Sequence, residues 1–136
     1  MGVEVTQRVE FECCYIANQE LNAHRYRFEA TVIGPQREQD MGAVIDFHQL
    51  QKYMRGVSYD KKFLYSSQDM NRVVCGVVNA LPDKFKERVE FQLSAENICK
   101  DMVSRLQFAL DRVEPGVTVV GAKLRETSDS FASWSR

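Results

Sequence analysis

The sequence holds only two histidines, His24 and His48, so a single chain cannot assemble a metal centre from three imidazoles. It also lacks any apolar run near the roughly 20 residues that a membrane-spanning helix requires. Its opening, MGVEVTQRVEF, alternates where a secretory leader would show a basic and then an apolar block. A cytoplasmic protein with no membrane association is the expectation. Charge of one sign is missing too: 18 lysines and arginines stand against 19 aspartates and glutamates, leaving no broad field to attract a nucleic acid. The cysteines, Cys13, Cys14, Cys75 and Cys99, offer no C-x-x-C spacing, and adjacent residues such as Cys13 and Cys14 rarely bridge each other. Reduced, mostly buried thiols follow. No repeat, low-complexity stretch or linker interrupts the chain, so residues 1–136 read as one domain.

What the sequence does have is periodicity. Val3, Val5, Val9, Phe11, Cys13 and Tyr15 alternate with Glu4, Thr6, Arg8, Glu10 and Glu12, the pattern of a long half-buried strand. His24, Tyr26, Phe28, Ala30 and Val32 alternate with Arg25, Arg27, Glu29 and Thr31 until Gly34-Pro35 ends the run. Two such strands joined by a short loop make an antiparallel hairpin. Beyond the polar loop QREQDMG, Asp46 suits the N-cap of a short helix in which Phe47, Leu50 and Met54 share a face and which ends near Gly56. The stretch SQDMNRVVCGVVNALP sets Met70, Val73, Val74, Val77, Val78 and Leu81 at helical spacing as far as Pro82, although its valines also suit a strand.

RVEFQL then alternates briefly. Ser94 opens a helix whose stripe is Ile98, Met102, Leu106, Ala109, Leu110 and Val113, stopped by Pro115-Gly116, and VTVVGAKLRET reads as the last strand. The order strand, strand, helical middle, helix, strand implies an α+β fold: an antiparallel sheet with helices on one face.

Six blocks, in order, resemble the motifs of the 6-pyruvoyltetrahydropterin synthase and 6-carboxytetrahydropterin synthase family over nearly the whole chain. FECCY (Phe11–Tyr15) is similar to F-x-A-A-H, and NQELNAHRY (Asn18–Tyr26) to the cysteine and H-G-H-x-Y block. GAVIDF (Gly42–Phe47) is similar to G-x-V-I-D-F and YDKKFL (Tyr59–Leu64) to L-D-H-x-x-L. LSAEN (Leu93–Asn97) is similar to P-T-S-E-N, and LRET (Leu124–Thr127) to the closing E-T. The resemblance implies a tunnelling fold: a four-stranded antiparallel sheet with two helices on one face, closed into a barrel by oligomerisation as a trimer or hexamer. The stretch from Tyr65 to Leu93 is longer than the family's usual connection.

The same resemblance implies a site. The family's three zinc-binding histidines fall on Tyr15, Asn22 and His24, so only His24 is retained. The cysteine that works in proton transfer falls on Asn18, and the D-H pair on Asp60 and Lys61. The glutamate that anchors the pterin falls on Glu126, followed by Thr127. Asparagine and a neutral phenol are poor zinc ligands, so zinc is not expected to bind tightly and a cofactor is not expected. Cys13 shares a strand face with Tyr15 and either joins His24 in an altered metal site or packs as a buried thiol. Lys61 is either a base of lowered pKa beside an apolar pocket, working with Glu126, or one of two solvated lysines.

Three functions follow in descending order: a divergent homologue that keeps a pterin-type pocket without the zinc-dependent lyase reaction, an enzyme acting on a pterin or purine-like substrate by altered chemistry, and an oligomeric interaction scaffold. Loss of both metal and proton-transfer groups ordinarily lowers a rate by orders of magnitude. The implied partners are a pterin-like small molecule and further copies of the chain.

Overall fold

The computed structural model describes residues 3–38, 41–126 and 129–136. The two alternating runs form strands β1 (Val3–Ala17) and β2 (Glu20–Gly34), paired antiparallel without a break from Val3↔Gly34 to Ala17↔Glu20. Asn18 and Gln19 turn the chain between them, both in the left-handed region (φ 52° and 64°), as the right-handed twist of a two-residue hairpin demands.

Helix α1 (Phe47–Val57) begins where Asp46 accepts hydrogen bonds from the backbone N–H groups of His48 and Gln49. Leu50 and Met54 face the core as expected, whereas Phe47, in the first turn, is exposed. Helix α2 (Arg72–Ala80) is capped by Asn71, and helix α3 (Ala95–Val113) by Ser94, whose hydroxyl accepts from Asn97 N–H. Along α3, Ile98, Cys99, Met102, Val103, Leu106 and Leu110 are buried. Each large apolar side chain in that stripe contributes about 1.5–3 kcal/mol of burial.

Three shorter strands precede the end of the chain and one closes it: β3 (Lys62–Ser66), β4 (Lys86–Val89), β5 (Thr118–Arg125) and β6 (Phe131–Ser135). The sheet order is β4-β3-β1-β2-β5-β6. Strands β1, β2, β5 and β6 form the expected four-stranded antiparallel unit, but the sheet has six strands and is mixed, since β3 pairs parallel to β1 and β4 parallel to β3. The cause is a local anchor at the strand edge. Asp60 Oδ1 accepts the Glu12 N–H at 3.0 Å and Lys61 N–H donates to the Glu12 carbonyl at 2.6 Å, which lays the following residues alongside Cys13–Tyr15.

The helices also do not all lie on one face. The face carrying Val9, Phe11, Cys13 and Tyr15 packs on α1 and α3 and holds the main core. Strand β4 shows how α2 comes to the other side: Glu87 faces Arg105 of α3, while its neighbour Lys86 donates from Nζ to the Val78 carbonyl of α2. Phe63 and Val74 are buried there, outside the main core. The rest of that second face is polar. Arg8 stands opposite Glu29, Glu10 opposite Arg27 and Glu12 opposite Arg25, with Arg25 3.0 Å from Glu12 and Arg27 3.4 Å from Glu10. No helix is long and apolar enough to cross a membrane.

Candidate functional site

Pairing of β1 with β2 sets Tyr15 directly opposite Asn22 and Cys13 directly opposite His24. Because side chains alternate along a strand, all four point to the face covered by α1 and α3. Strand β5 continues the row. Leu124 pairs with Phe28 and Arg125 with Arg27, so the next residue, Glu126, arrives beside Tyr26 and extends its carboxylate to within 3.8 Å of His24 Nε2. Tyr15, Asn22, His24 and Glu126, scattered in the sequence, therefore meet at one end of the sheet. The Glu126 backbone N–H donates to the Ser130 carbonyl, just before β6, at 3.0 Å.

Tyr26 completes the cluster and was not singled out by sequence, where it looked like one more core aromatic. It is buried, stacked on Phe11 at 5.5 Å and edge-on to His24 at 5.7 Å between ring centroids. Its hydroxyl has no hydrogen-bond partner at ordinary geometry, yet the Tyr15 phenol is close enough that the two shift each other's ionisation. Tyrosine as the last residue of the H-x-H-x-Y-like block is the signal that could have found it.

Ionised forms are strongly disfavoured here. Burial, then the charges of Cys14, Asp60 and Glu126, push the Cys13 thiol up to about 12. Burial raises Tyr15 as well, partly offset by the nearby Tyr26 hydroxyl and reinforced by Glu126, Cys13 and Glu96 from the first turn of α3. Tyr26 is raised by burial and by Tyr15. Held neutral, a thiol and two phenols are hydrogen-bonding groups. Among the described residues no group of three or more His, Cys, Asp or Glu side chains is arranged to hold a metal ion. The residues present do not fit a zinc site of the three-histidine kind.

The remaining predicted residues lie elsewhere. Asn18 sits at the hairpin tip, beyond the Tyr15–Asn22 pair, and lines a cleft of about 300 Å³ with Asp69, Asn71 and Gln92. Asp60 has its carboxylate engaged by the Glu12 N–H, although its charge still reaches Cys13. Lys61 is exposed, with a left-handed backbone (φ 59°), and no hydrogen bond or ion pair joins its side chain to Glu126 among the described residues. Thr127 lies outside the described residues.

A family profile described as 6-pyruvoyl tetrahydropterin synthase matches residues 4–136. Solved structures agree in fold. A 6-pyruvoyltetrahydropterin synthase from Plasmodium vivax carrying a catalytic-residue mutation aligns with a TM-score of 0.67 at 18% identity, over 100% of this chain and 98% of its own. An uncharacterized protein from Wolinella succinogenes aligns with a TM-score of 0.74 at 15% identity, over 100% and 99%. The Caenorhabditis elegans 6-pyruvoyl tetrahydropterin synthase gives 0.68 at 13% identity, over 100% and 96%. No curated protein sequence matches.

Proposed function

This chain belongs to the 6-pyruvoyl tetrahydropterin synthase family, and from that premise we propose that it keeps a pterin-type binding pocket anchored by Glu126 while lacking the family's zinc-dependent lyase reaction. The observation that carries the reading is the convergence of Glu126 with His24, Tyr15 and Tyr26 at one end of the sheet. A mostly buried but still accessible carboxylate accepts two parallel hydrogen bonds from an amino-substituted, N–H-bearing ring, and charge-assisted bonds of this kind are the strong ones. The neutral phenols of Tyr15 and Tyr26 offer further donors where the family has imidazole and metal. Without three imidazoles there is no open coordination position to polarise a substrate carbonyl, so binding outlasts turnover in this reading.

Assembly with further copies belongs to the same proposal. The Glu12 N–H and C=O face away from β2, toward Asp60 and Lys61, so by the two-residue period those of Glu10, Arg8, Thr6 and Glu4 also face outward along β1. An edge of that length is ordinarily covered, and β6 at the opposite side of the sheet is a matching edge for a ring of trimers or hexamers.

Isothermal titration of metal-analysed protein with neopterin tests the pocket. Saturable binding without zinc that Glu126→Ala weakens at least tenfold supports it. Absence of binding by the wild type removes the pocket and leaves the oligomeric scaffold, while turnover at rates comparable to zinc enzymes would overturn the loss of the lyase reaction.

A further inference from the structure

The inserted stretch between α1 and α3 builds a second cleft, on the sheet face opposite Tyr15, Tyr26 and Glu126. It holds about 470 Å³, within the range of small-molecule sites. Cys14, Ala23 and Phe63 form its floor, and Leu81 and Phe85, from the end of α2 and the short turn Asp83–Phe85, form its wall. Cys13 and His24 run beneath it with side chains directed to the other face. Phe85 is 41% exposed, an aromatic ring held open at a cleft mouth instead of packed away.

The rim is charged and its charges do not cancel. Arg25 and Glu12 neutralise each other at 3.0 Å. Lys62 donates from Nζ to the Lys84 carbonyl, and among the described residues neither the Lys61 nor the Lys62 ammonium faces a carboxylate within ion-pair distance. Lys84 lies over the Phe85 ring at 4.9 Å. An apolar floor and wall under unneutralised ammonium groups complement a compact apolar or aromatic body that carries one anionic group.

We propose that this cleft is a binding site for a small amphipathic anion, such as an aromatic carboxylate or sulfonate, separate from the Glu126 cluster and independent of whether that cluster binds a pterin. Phe63, Leu81 and Phe85 receive the ring and Lys61 with Lys62 receive the anion. A second copy of the chain is the competing occupant, and a solvent-filled groove is the other.

The test uses the full chain with 8-anilinonaphthalene-1-sulfonate as probe, followed by fluorescence, together with mass-spectrometric mapping of cysteine alkylation. The expected result is saturable one-to-one binding, at least tenfold weaker in Phe85→Ser and three- to tenfold weaker in the double variant Lys61→Gln/Lys62→Gln, whose binding also loses most of its salt dependence. The probe should slow alkylation of Cys14 and leave Cys75 unchanged, and excess neopterin should not displace it. Both variants alter exposed or half-buried side chains, and the wild-type Cys14 measurement stands even where a variant misfolds. Unsaturable binding, indifference to both variants, or no protection of Cys14 overturns the proposal. Protection of Cys14 before any probe is added, in an oligomer, overturns it in favour of a second copy, and displacement by neopterin overturns the separateness of the two sites.

Discussion

The imidazole of His24 and the carboxylate of Glu126 come within 3.8 Å of each other across β2 and β5, with the side chains 35% and 23% exposed. A contact open to water to that degree adds about 0–1 kcal/mol to stability. Glu126→Ala should therefore leave the denaturant midpoint nearly unchanged while weakening neopterin binding ten- to a hundredfold, in line with about 1.5–3 kcal/mol for hydrogen bonds to a charged group. A large loss of stability would mark Glu126 as a structural residue instead.

Tyr26→Phe removes a buried hydroxyl that has no partner. Such a group destabilises the folded state by its lost hydration, so the variant should match or exceed the wild type by up to about 1 kcal/mol in urea unfolding. Destabilisation by more than that would reveal a hydrogen bond to Tyr15 of ordinary strength.

Asp60 acts here as a clamp on β1. Asp60→Ala withdraws the acceptor of the Glu12 N–H and should lower stability by about 1–2 kcal/mol, whereas Asp60→Asn keeps an acceptor and should lose less. Lys61→Gly relieves a left-handed backbone and should raise stability by up to about 1 kcal/mol, read from the same unfolding curves. If Asp60→Asn were as damaging as alanine, the carboxylate charge would matter more than the bond.

Alkaline pH should weaken the fold. Cys13 is held in its neutral form in the folded chain, pushed up to about 12, and ionises near 9 once unfolded. Between those values the unfolded state binds fewer protons, so stability is intact below pH 9 and falls as pH rises toward 12. The loss from Cys13 alone is on the order of 3 kcal/mol by pH 11, at about 1.36 kcal/mol per pH unit. Cys13→Ala or Cys13→Ser should flatten that part of the pH profile measured by chemical denaturation.

The elements readable in the sequence were those whose pattern is long and self-contained. β1 and β2 alternate over many residues, and α1 and α3 carry N-caps at Asp46 and Ser94 that the structure uses. β3 and β4 are not legible in full because each is short and depends on a parallel neighbour that its own residues do not encode, and VTVVGAKLRET is not the last strand, since the five-residue β6 follows and pairs with it. The RVEFQL stretch alternates, but pairing stops at Val89. The side taken by α2 rests on single contacts such as Lys86 with the Val78 carbonyl, which periodicity cannot show.

The site was legible in part for a similar reason. Motif positions led to Tyr15, Asn22, His24 and Glu126, which the sheet brings together, but also to Asn18 and Asp60, which serve the hairpin tip and the β1 edge. Motif position alone does not distinguish a side chain that joins this cluster from one that holds backbone.

The charged rows on β1 and β2 bear on how the hairpin finds its alignment. In the native pairing Arg8, Glu10 and Glu12 each meet the opposite sign on β2. Sliding one strand by two residues would keep every apolar side chain on its proper face, so hydrophobic burial alone would accept the error. One direction of slip sets Arg8 against Arg27 and the other sets Glu10 against Glu29. The alternating charges thus act as a proofreading key during folding, rejecting misaligned hairpins that the core by itself would tolerate.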